Sequence, residues 1–220
     1  MFPSNSTFPS TGDLPSPDLP MDGTYFDVNI PSAVNPWNFF IQPYKDGKEL
    51  KQWMLNLQEY YNTGPGSKKY QLTLNDVKPG ECYVALHHPD NTWYRACVNQ
   101  TIDNDSISAF FVDYGQYVVL NLKQLKPLHS KFKKLPFQVL KARLSGITPV
   151  GQKWSVDDCR IFQELVVGKQ FVCTIKEIGR DILHDNDNVL SVFLIDTSTN
   201  VDIQIHRLLI RKGIAVPIKT

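Results

Sequence analysis

Hydrophobic and polar positions along the chain follow two periods. Tyr25-Phe26-Asp27-Val28-Asn29-Ile30 alternates with period two, and Trp37 to Gln42 is a second β-type run closed by Pro43, which predicts a hairpin. The period then lengthens. Leu50, Trp53, Met54, Leu57 and Tyr61 recur at the three-and-four spacing of an amphipathic helix that ends before Gly64-Pro65-Gly66. At that spacing Trp53 and Met54 belong to a core face, not to a cofactor box.

From Glu81 to Leu128 the chain reads as short strands: Cys82 to His87, Thr92 to Asn99, Ser106 to Asp113, Gln116 to Leu120 and Gln124 to Leu128. His88-Pro89-Asp90-Asn91 and Asp103-Asn104-Asp105 are hairpin-type turn clusters between them. Short antiparallel strands packed this closely hide their edges only by curling into a small barrel.

Phe137 to Leu144 resumes a strand pattern. A helix follows, with Ser155 as its cap, Asp158 at the capping-box position, Trp154 and Cys159 as a staple, and Phe162, Leu165 and Val166 as the buried stripe before Gly168. Phe171 to Ile175, Val189 to Ile195 and Val201 to Ile205 read as strands, and His206 to Lys212 as a closing helical turn. The predicted class is therefore mainly β with a few helices. Strands at the front and back of the chain imply a barrel over residues 78–130 inserted into a second β module. That module is assembled from 23–45 and 135–217, and the amphipathic helix over 46–62 is the joint. Residues 1–22, rich in Pro, Ser, Thr and Asp, read as a disordered tail or linker. Met1 precedes no targeting pattern, which reads as a cut from a longer protein.

Composition narrows the function classes. In 220 residues, Lys+Arg 23 against Asp+Glu 22 leaves a formal charge of +1, so nothing global favours capture of nucleic acid or an anionic membrane. No apolar run reaches the roughly 20 residues that cross a bilayer. Cys82, Cys97, Cys159 and Cys173 form no CxxC pair and read as reduced thiols of a cytosolic protein.

The densest candidate chemistry is Trp93-Tyr94-Arg95-Ala96 followed by Phe110-Phe111-Val112-Asp113-Tyr114-Gly115-Gln116. Alternation sends Trp93 and Arg95 to one face and Tyr94 to the other, with Phe110 and Val112 opposing Phe111 and Asp113. Tyr94, Phe111 and Tyr114 are expected to wall a gap suited to an alkylated cation, which gains about 0.5 to 2 kcal/mol over each well-placed ring. Methylated arginine keeps its charge and loses N–H donors, so a ring-lined slot favours it over water. Gln116 is placed to accept a remaining N–H. Asp113 is read as the buried partner of Arg95, in structural support of the rings.

These residues closely resemble the Tudor signature, and Leu125-Lys126-Pro127-Leu128 resembles its usual exit. Phe40-Ile41-Gln42-Pro43, the helix carrying Leu50 to Tyr61, and Val192-Phe193-Leu194-Ile195-Asp196 before Leu208-Leu209 and Gly213-Ile214-Ala215 look like the flanks of an extended Tudor domain. The resemblance implies a five-stranded Tudor barrel inserted into a split OB barrel of the staphylococcal-nuclease type. It also implies a scaffold of the Piwi-interacting RNA pathway, cytoplasmic and perinuclear in germ granules (nuage), that binds symmetrically dimethylated arginine in Piwi-family tails. Within the family the chain looks most like the Tejas and Tapas type. Carried over by position, the cage is Tyr94, Phe111 and Tyr114, with Gln116 where the family commonly has asparagine. His88, beside His87, stands where a fourth ring is usual. A protonated histidine there would repel the guest.

The expected module is a monomer without enzymatic activity, cofactor, metal or membrane contact. A nuclease would need clustered carboxylates, and Asp181, Asp185 and Asp187 read instead as a solvated turn. His129, His184 and His206 are isolated along the sequence. RNA contact remains an alternative through Lys131-Phe132-Lys133-Lys134 and through Arg207 with Arg211-Lys212. A scaffold with an idle, degenerate cage is the other.

Overall fold

The computed structural model describes residues 14–18, 23–44, 47–180 and 188–218. The carboxylates Asp181, Asp185 and Asp187 and His184 lie outside them, as does most of the expected tail. Within that tail, Leu14 is buried, and Pro15 offers its carbonyl to the Phe137 N–H at 3.2 Å.

In chain order the elements are β1 (Tyr25–Asn35), β2 (Asn38–Pro43), α1 (Gly47–Asn62), β3 (Cys82–His87), β4 (Thr92–Thr101), β5 (Ser106–Phe111) and β6 (Gln116–Asn121). There follow β7 (Leu125–Pro127), β8 (Leu140–Leu144), β9 (Ile147–Pro149), α2 (Val156–Val166), β10 (Gln170–Arg180), β11 (Asn188–Asp196), β12 (Ile203–Gln204), α3 (Ile205–Arg211) and β13 (Ala215–Pro217). They form two compact units, one holding residues 46–138 and the other 18–45 with 139–220.

The first unit is built on a sheet of order β6-β5-β4-β3-β7. Its two edge strands are joined by only the short turn Leu122–Gln124, so the sheet must curl to bring those edges near each other. Ala85, Ala96, Val98, Ile107, Ala109, Leu120 and Leu125 fill the interior. On the other face of β4, α1 buries Leu50, Met54, Leu57 and Tyr61. Polar contacts fix its register. Gln58 donates to and accepts from the Trp93 backbone, both at 2.8 Å, and thus supplies the pairing that a neighbouring strand would. The Tyr61 hydroxyl donates to the Pro127 carbonyl at 2.8 Å and accepts from the His129 N–H at 2.9 Å. Burial pushes its pKa up to about 12, so it stays a neutral donor.

One expectation is overturned here. Cys82 and Cys97 are not reduced thiols: they face each other in the β3–β4 register and are joined by a disulfide. Spacing along the sequence could not reveal this, because only the pairing register brings the two sulfurs together. Cys159 and Cys173 are free, and burial drives the Cys173 thiol up to about 12.

In the second unit β10, β1, β2, β8 and β11 form a ring closed by the β10–β11 pairing, and β11 pairs in addition with β12. The β8–β11 contact is parallel and the others in the ring are antiparallel. Val28, Ile30, Phe39, Ile41, Leu144, Val192 and Leu194 occupy its interior, against which α2 lays Phe162 and Val166. Helix α2 starts where its sequence signals it. The Ser155 hydroxyl accepts from the Asp158 N–H at 3.1 Å while the Asp158 carboxylate accepts from the Ser155 N–H at 2.8 Å. The expected strand over Val201 to Ile205 shrinks to β12, because α3 already begins at Ile205.

Candidate functional site

The ring cluster grows out of strand register. Tyr94 on β4 opposes Ala85 on β3, and Ala96 opposes Phe111 at the end of β5. Directly opposed residues share a face of an antiparallel pair, so Ala85, Tyr94, Ala96 and Phe111 all contribute to the barrel interior. Alanines at this level leave volume that the two rings fill. Strand β5 then stops. Both Tyr114 and Gly115 donate their N–H to the Phe111 carbonyl, at 3.1 and 2.8 Å, and Gly115 takes φ +70°, a conformation that costs a side-chain-bearing residue. The turn brings Tyr114 edge-on to Tyr94, ring centroids 5.1 Å apart.

Tyr94 and Phe111 stack with centroids 4.7 Å apart and planes 27° from parallel. Sequence reasoning anticipated a gap at this point. A flat cation held between two rings needs their planes roughly 7 Å apart, twice the contact distance of about 3.5 Å between carbons. The two ring faces instead bury each other, which the hydrophobic effect and ring quadrupoles favour, and Phe111 is left only 1% exposed.

The imidazole at the cluster is that of His87, 5.5 Å from Phe111 and 6.0 Å from Tyr94. His88 is exposed in the following turn. The period of two explains the exchange: His87 shares the interior face of Ala85, and His88 is one residue out of phase. Gln116 opens β6 directly across from Phe111 and is exposed.

Asp90 is the residue that sequence reasoning missed. Its carboxylate accepts from the Tyr94 hydroxyl at 2.8 Å and lies 3.1 Å from the His87 Nδ1, an ion pair when the imidazole is protonated. The only signal for it was its place in a turn cluster beside two histidines. Partial burial works to raise its pKa, but the Tyr94 hydroxyl and His87 outweigh that and hold the carboxyl below its ordinary value. Burial, reinforced by Asp90, drives the Tyr94 phenol far above its ordinary value. Burial and the charges of Asp113 and Asp90 push Tyr114 up to about 12. Both rings are therefore neutral at physiological pH, with one anionic carboxylate at their edge.

On the opposite face of β4, Arg95 is fully buried, and each of its N–H groups has an acceptor. Nε and Nη2 donate to the two Asp113 oxygens at 2.9 and 2.5 Å; Nη1 donates to the Phe132 and Leu135 carbonyls at 3.3 and 2.5 Å; Nη2 also reaches the Pro136 carbonyl at 2.8 Å. The Trp53 ring packs 4.6 Å from the guanidinium carbon. Strand alternation would have put Asp113 on the side of Phe111. The turn after β5 breaks that alternation and re-aims the carboxylate at Arg95.

Elsewhere, Lys131 places its ammonium 3.9 Å over the Tyr60 ring. Arg207 and Arg211 line a shallow groove of about 420 Å³ on α3. His129 packs on Tyr60 and His206 on Phe193. Among the described residues there is no group of three or more His, Cys, Asp or Glu able to hold a metal, and no helix long and apolar enough to cross a membrane.

The model of the Tudor domain family matches residues 20–146. Tudor domain-containing protein 7A of Danio rerio is 31% identical over 196 residues, which is 89% of this chain and 17% of that protein. The chain thus spans about a sixth of the length of that relative. The extended Tudor domain of human TDRD1, solved with a symmetrically dimethylated E2F peptide, is 26% identical with a TM-score of 0.76 over 93% of this chain and 96% of that one. The extended Tudor domain TD3 of mouse TDRD1, solved with a dimethylarginine-containing MILI peptide, is 25% identical with a TM-score of 0.80 over 93% and 98%. A curled five-stranded sheet inserted into a closed β ring is the architecture shared with these structures, and the chain belongs to the Tudor domain family as an extended Tudor domain.

Proposed function

We propose that this chain is a non-enzymatic binding module that reads dimethylated arginine, preferentially the symmetric form, in peptides such as the N-terminal tails of Piwi-family proteins. In this reading it acts as a scaffold of the Piwi-interacting RNA pathway in perinuclear germ granules. The observation that carries the proposal is the cluster of neutral rings Tyr94, Phe111 and Tyr114 with the Asp90 carboxylate at its edge. The similarity to extended Tudor domains solved with dimethylarginine peptides supports it.

The guest's cation enters by prising Tyr94 from Phe111. That step gives up a stacked pair worth about 0.5–1.5 kcal/mol and a charge-assisted hydrogen bond worth about 1.5–3 kcal/mol. Cation–ring contacts of about 0.5–2 kcal/mol each offset much of this. The result is a module of modest affinity. Gln116, at the mouth of β6, supplies the amide oxygen that orients the guanidinium.

The closed Tyr94–Phe111 stack also favours a second reading, a scaffold whose ring cluster is idle. One titration separates them. Matched peptides carrying unmodified, asymmetric or symmetric dimethylarginine are measured by calorimetry against the wild type and Tyr114→Ala. Ranking by methylation, lost in the variant, supports the reader. Equal affinities throughout leave only the scaffold.

A further inference from the structure

On the α1 side of the first unit, away from the interior rings, lies a groove of about 400 Å³ lined by Trp53, Asn56, Glu59, Tyr60, Lys131 and Phe132. Phe132 stands between the other two rings, edge-on to Trp53 at 5.2 Å and to Tyr60 at 5.3 Å. Only 3% exposed, it forms the floor between the half-buried rings of Trp53 and Tyr60. Trp53 and Tyr60 sit two turns apart on α1, about 10 Å along its axis. A polyproline II helix repeats every three residues, about 9 Å. Prolines three apart would thus meet Trp53 and Tyr60 in register.

The polar groups fit the same guest. Asn56 lies between Trp53 and Tyr60 on α1. Its Oδ1 already accepts from the Gln52 side chain at 3.3 Å, so the amide turns its N–H donors elsewhere. A polyproline backbone has carbonyls and no N–H groups to offer, and donors are what it needs. Glu59 gives the groove a carboxylate. Lys131 closes one end, with its ammonium 3.9 Å over Tyr60 and 4.6 Å over Phe132. A single-stranded nucleic acid would also stack on these rings and meet Lys131, but Glu59 in the same groove opposes its phosphates. The carboxylate instead complements a basic residue flanking the prolines.

We propose that this groove is a second peptide site, separate from the Tyr94 cluster, which takes a proline-rich segment in the polyproline II conformation with an arginine next to its prolines. Rigid prolines lose little entropy on docking, so the short site suffices for weak, reversible contact.

The test uses the whole chain and calorimetry. The probe is a synthetic peptide of about ten residues with prolines at every third position and a terminal arginine, enough for about three polyproline turns. Its controls are a scrambled peptide of the same composition, the same peptide with glutamate for arginine, and oligouridylate. The patterned peptide is expected to bind at least about fivefold better than the scrambled one, the worth of roughly one hydrogen bond and one seated ring. Asn56→Leu should weaken it by a similar factor. Glu59→Lys should weaken the arginine peptide and strengthen the glutamate one. Both variants are at exposed positions and should melt as the wild type does. The proposal is overturned if pattern makes no difference, if oligouridylate binds and the peptide does not, or if Glu59→Lys leaves both peptides unchanged.

Discussion

Replacing Asp113 by asparagine tests whether the buried Arg95 pair holds the ring cluster in place. The guanidinium has no exposed surface, and its five N–H groups are matched by two carboxylate oxygens and three backbone carbonyls. The substituted amide would keep one acceptor, lose the compensating charge and turn an NH₂ toward a group that only donates. Breaking a buried pair from one side costs about 3–5 kcal/mol. Because the carbonyls of Phe132, Leu135 and Pro136 still share the cation, the lower end, about 3 kcal/mol, is expected. For a chain of this size that lowers Tm by about 6–12 °C. Urea unfolding followed by tryptophan fluorescence reads it directly, since Trp53 packs on Arg95 and Trp93 is two residues away. Dimethylarginine peptide affinity should fall too, because Tyr94 and Tyr114 are the chain neighbours of the pair. The double variant Arg95→Met with Asp113→Leu should be less damaged than Asp113→Asn alone, as an apolar pair leaves no stranded charge. A loss below about 1 kcal/mol for Asp113→Asn, the size of an ordinary hydrogen bond, would refute the reasoning.

Tyr94→Phe removes the hydroxyl bond to Asp90 and so lowers the barrier to opening the stack. Affinity for a dimethylarginine peptide should rise by about tenfold or more at some cost in stability, and a fall would show that the hydroxyl touches the guest instead. Ser155→Ala deletes the α2 cap and should cost about 1 kcal/mol in thermal or urea unfolding; no change would mean the capping box is idle. Acid should destabilise the fold. The Thr73 hydroxyl and N–H hold Asp76 below its ordinary pKa, the Asp105 and Ser106 N–H groups do the same for Asp103, and Ser198 does so for Asp196. Folded values below unfolded ones contribute stability that is whole above about pH 4 and fades as pH falls through the folded values. A melting temperature that stays flat from about pH 5 to about pH 2 would contradict this.

Local pattern made much of this molecule legible. Helix α1 is readable because Leu50, Met54, Leu57 and Tyr61 keep a strict period, and α2 because Ser155 and Asp158 announce its start. The ring trio was readable from strand parity. What parity could not give was distance: Tyr94 and Phe111 on one face can enclose a space or close on each other, and the volume left by Ala85 and Ala96 is filled by the two rings in contact. His88 was favoured over His87 by counting along a loop, where parity from Ala85 would have selected His87. Asp90 and the Cys82–Cys97 disulfide were hidden for one reason. Both depend on which residues face each other across the β3–β4 hairpin, and register is set by the whole sheet.

The closed ring of the second unit determines where the gene can be cut. A fragment ending at residue 146, where the family match stops, would keep β1, β2 and β8 but lack β10 and β11, which seal the ring. It would present two raw strand edges and a cavity where Phe162, Val192 and Leu194 belong, a recipe for insoluble product. During synthesis the β1–β2 hairpin likewise leaves the ribosome long before its partners. The inserted barrel can finish folding while that hairpin waits, but any piece that is to close the second unit must reach from β1 through β13, whose Ala215 belongs to the same core.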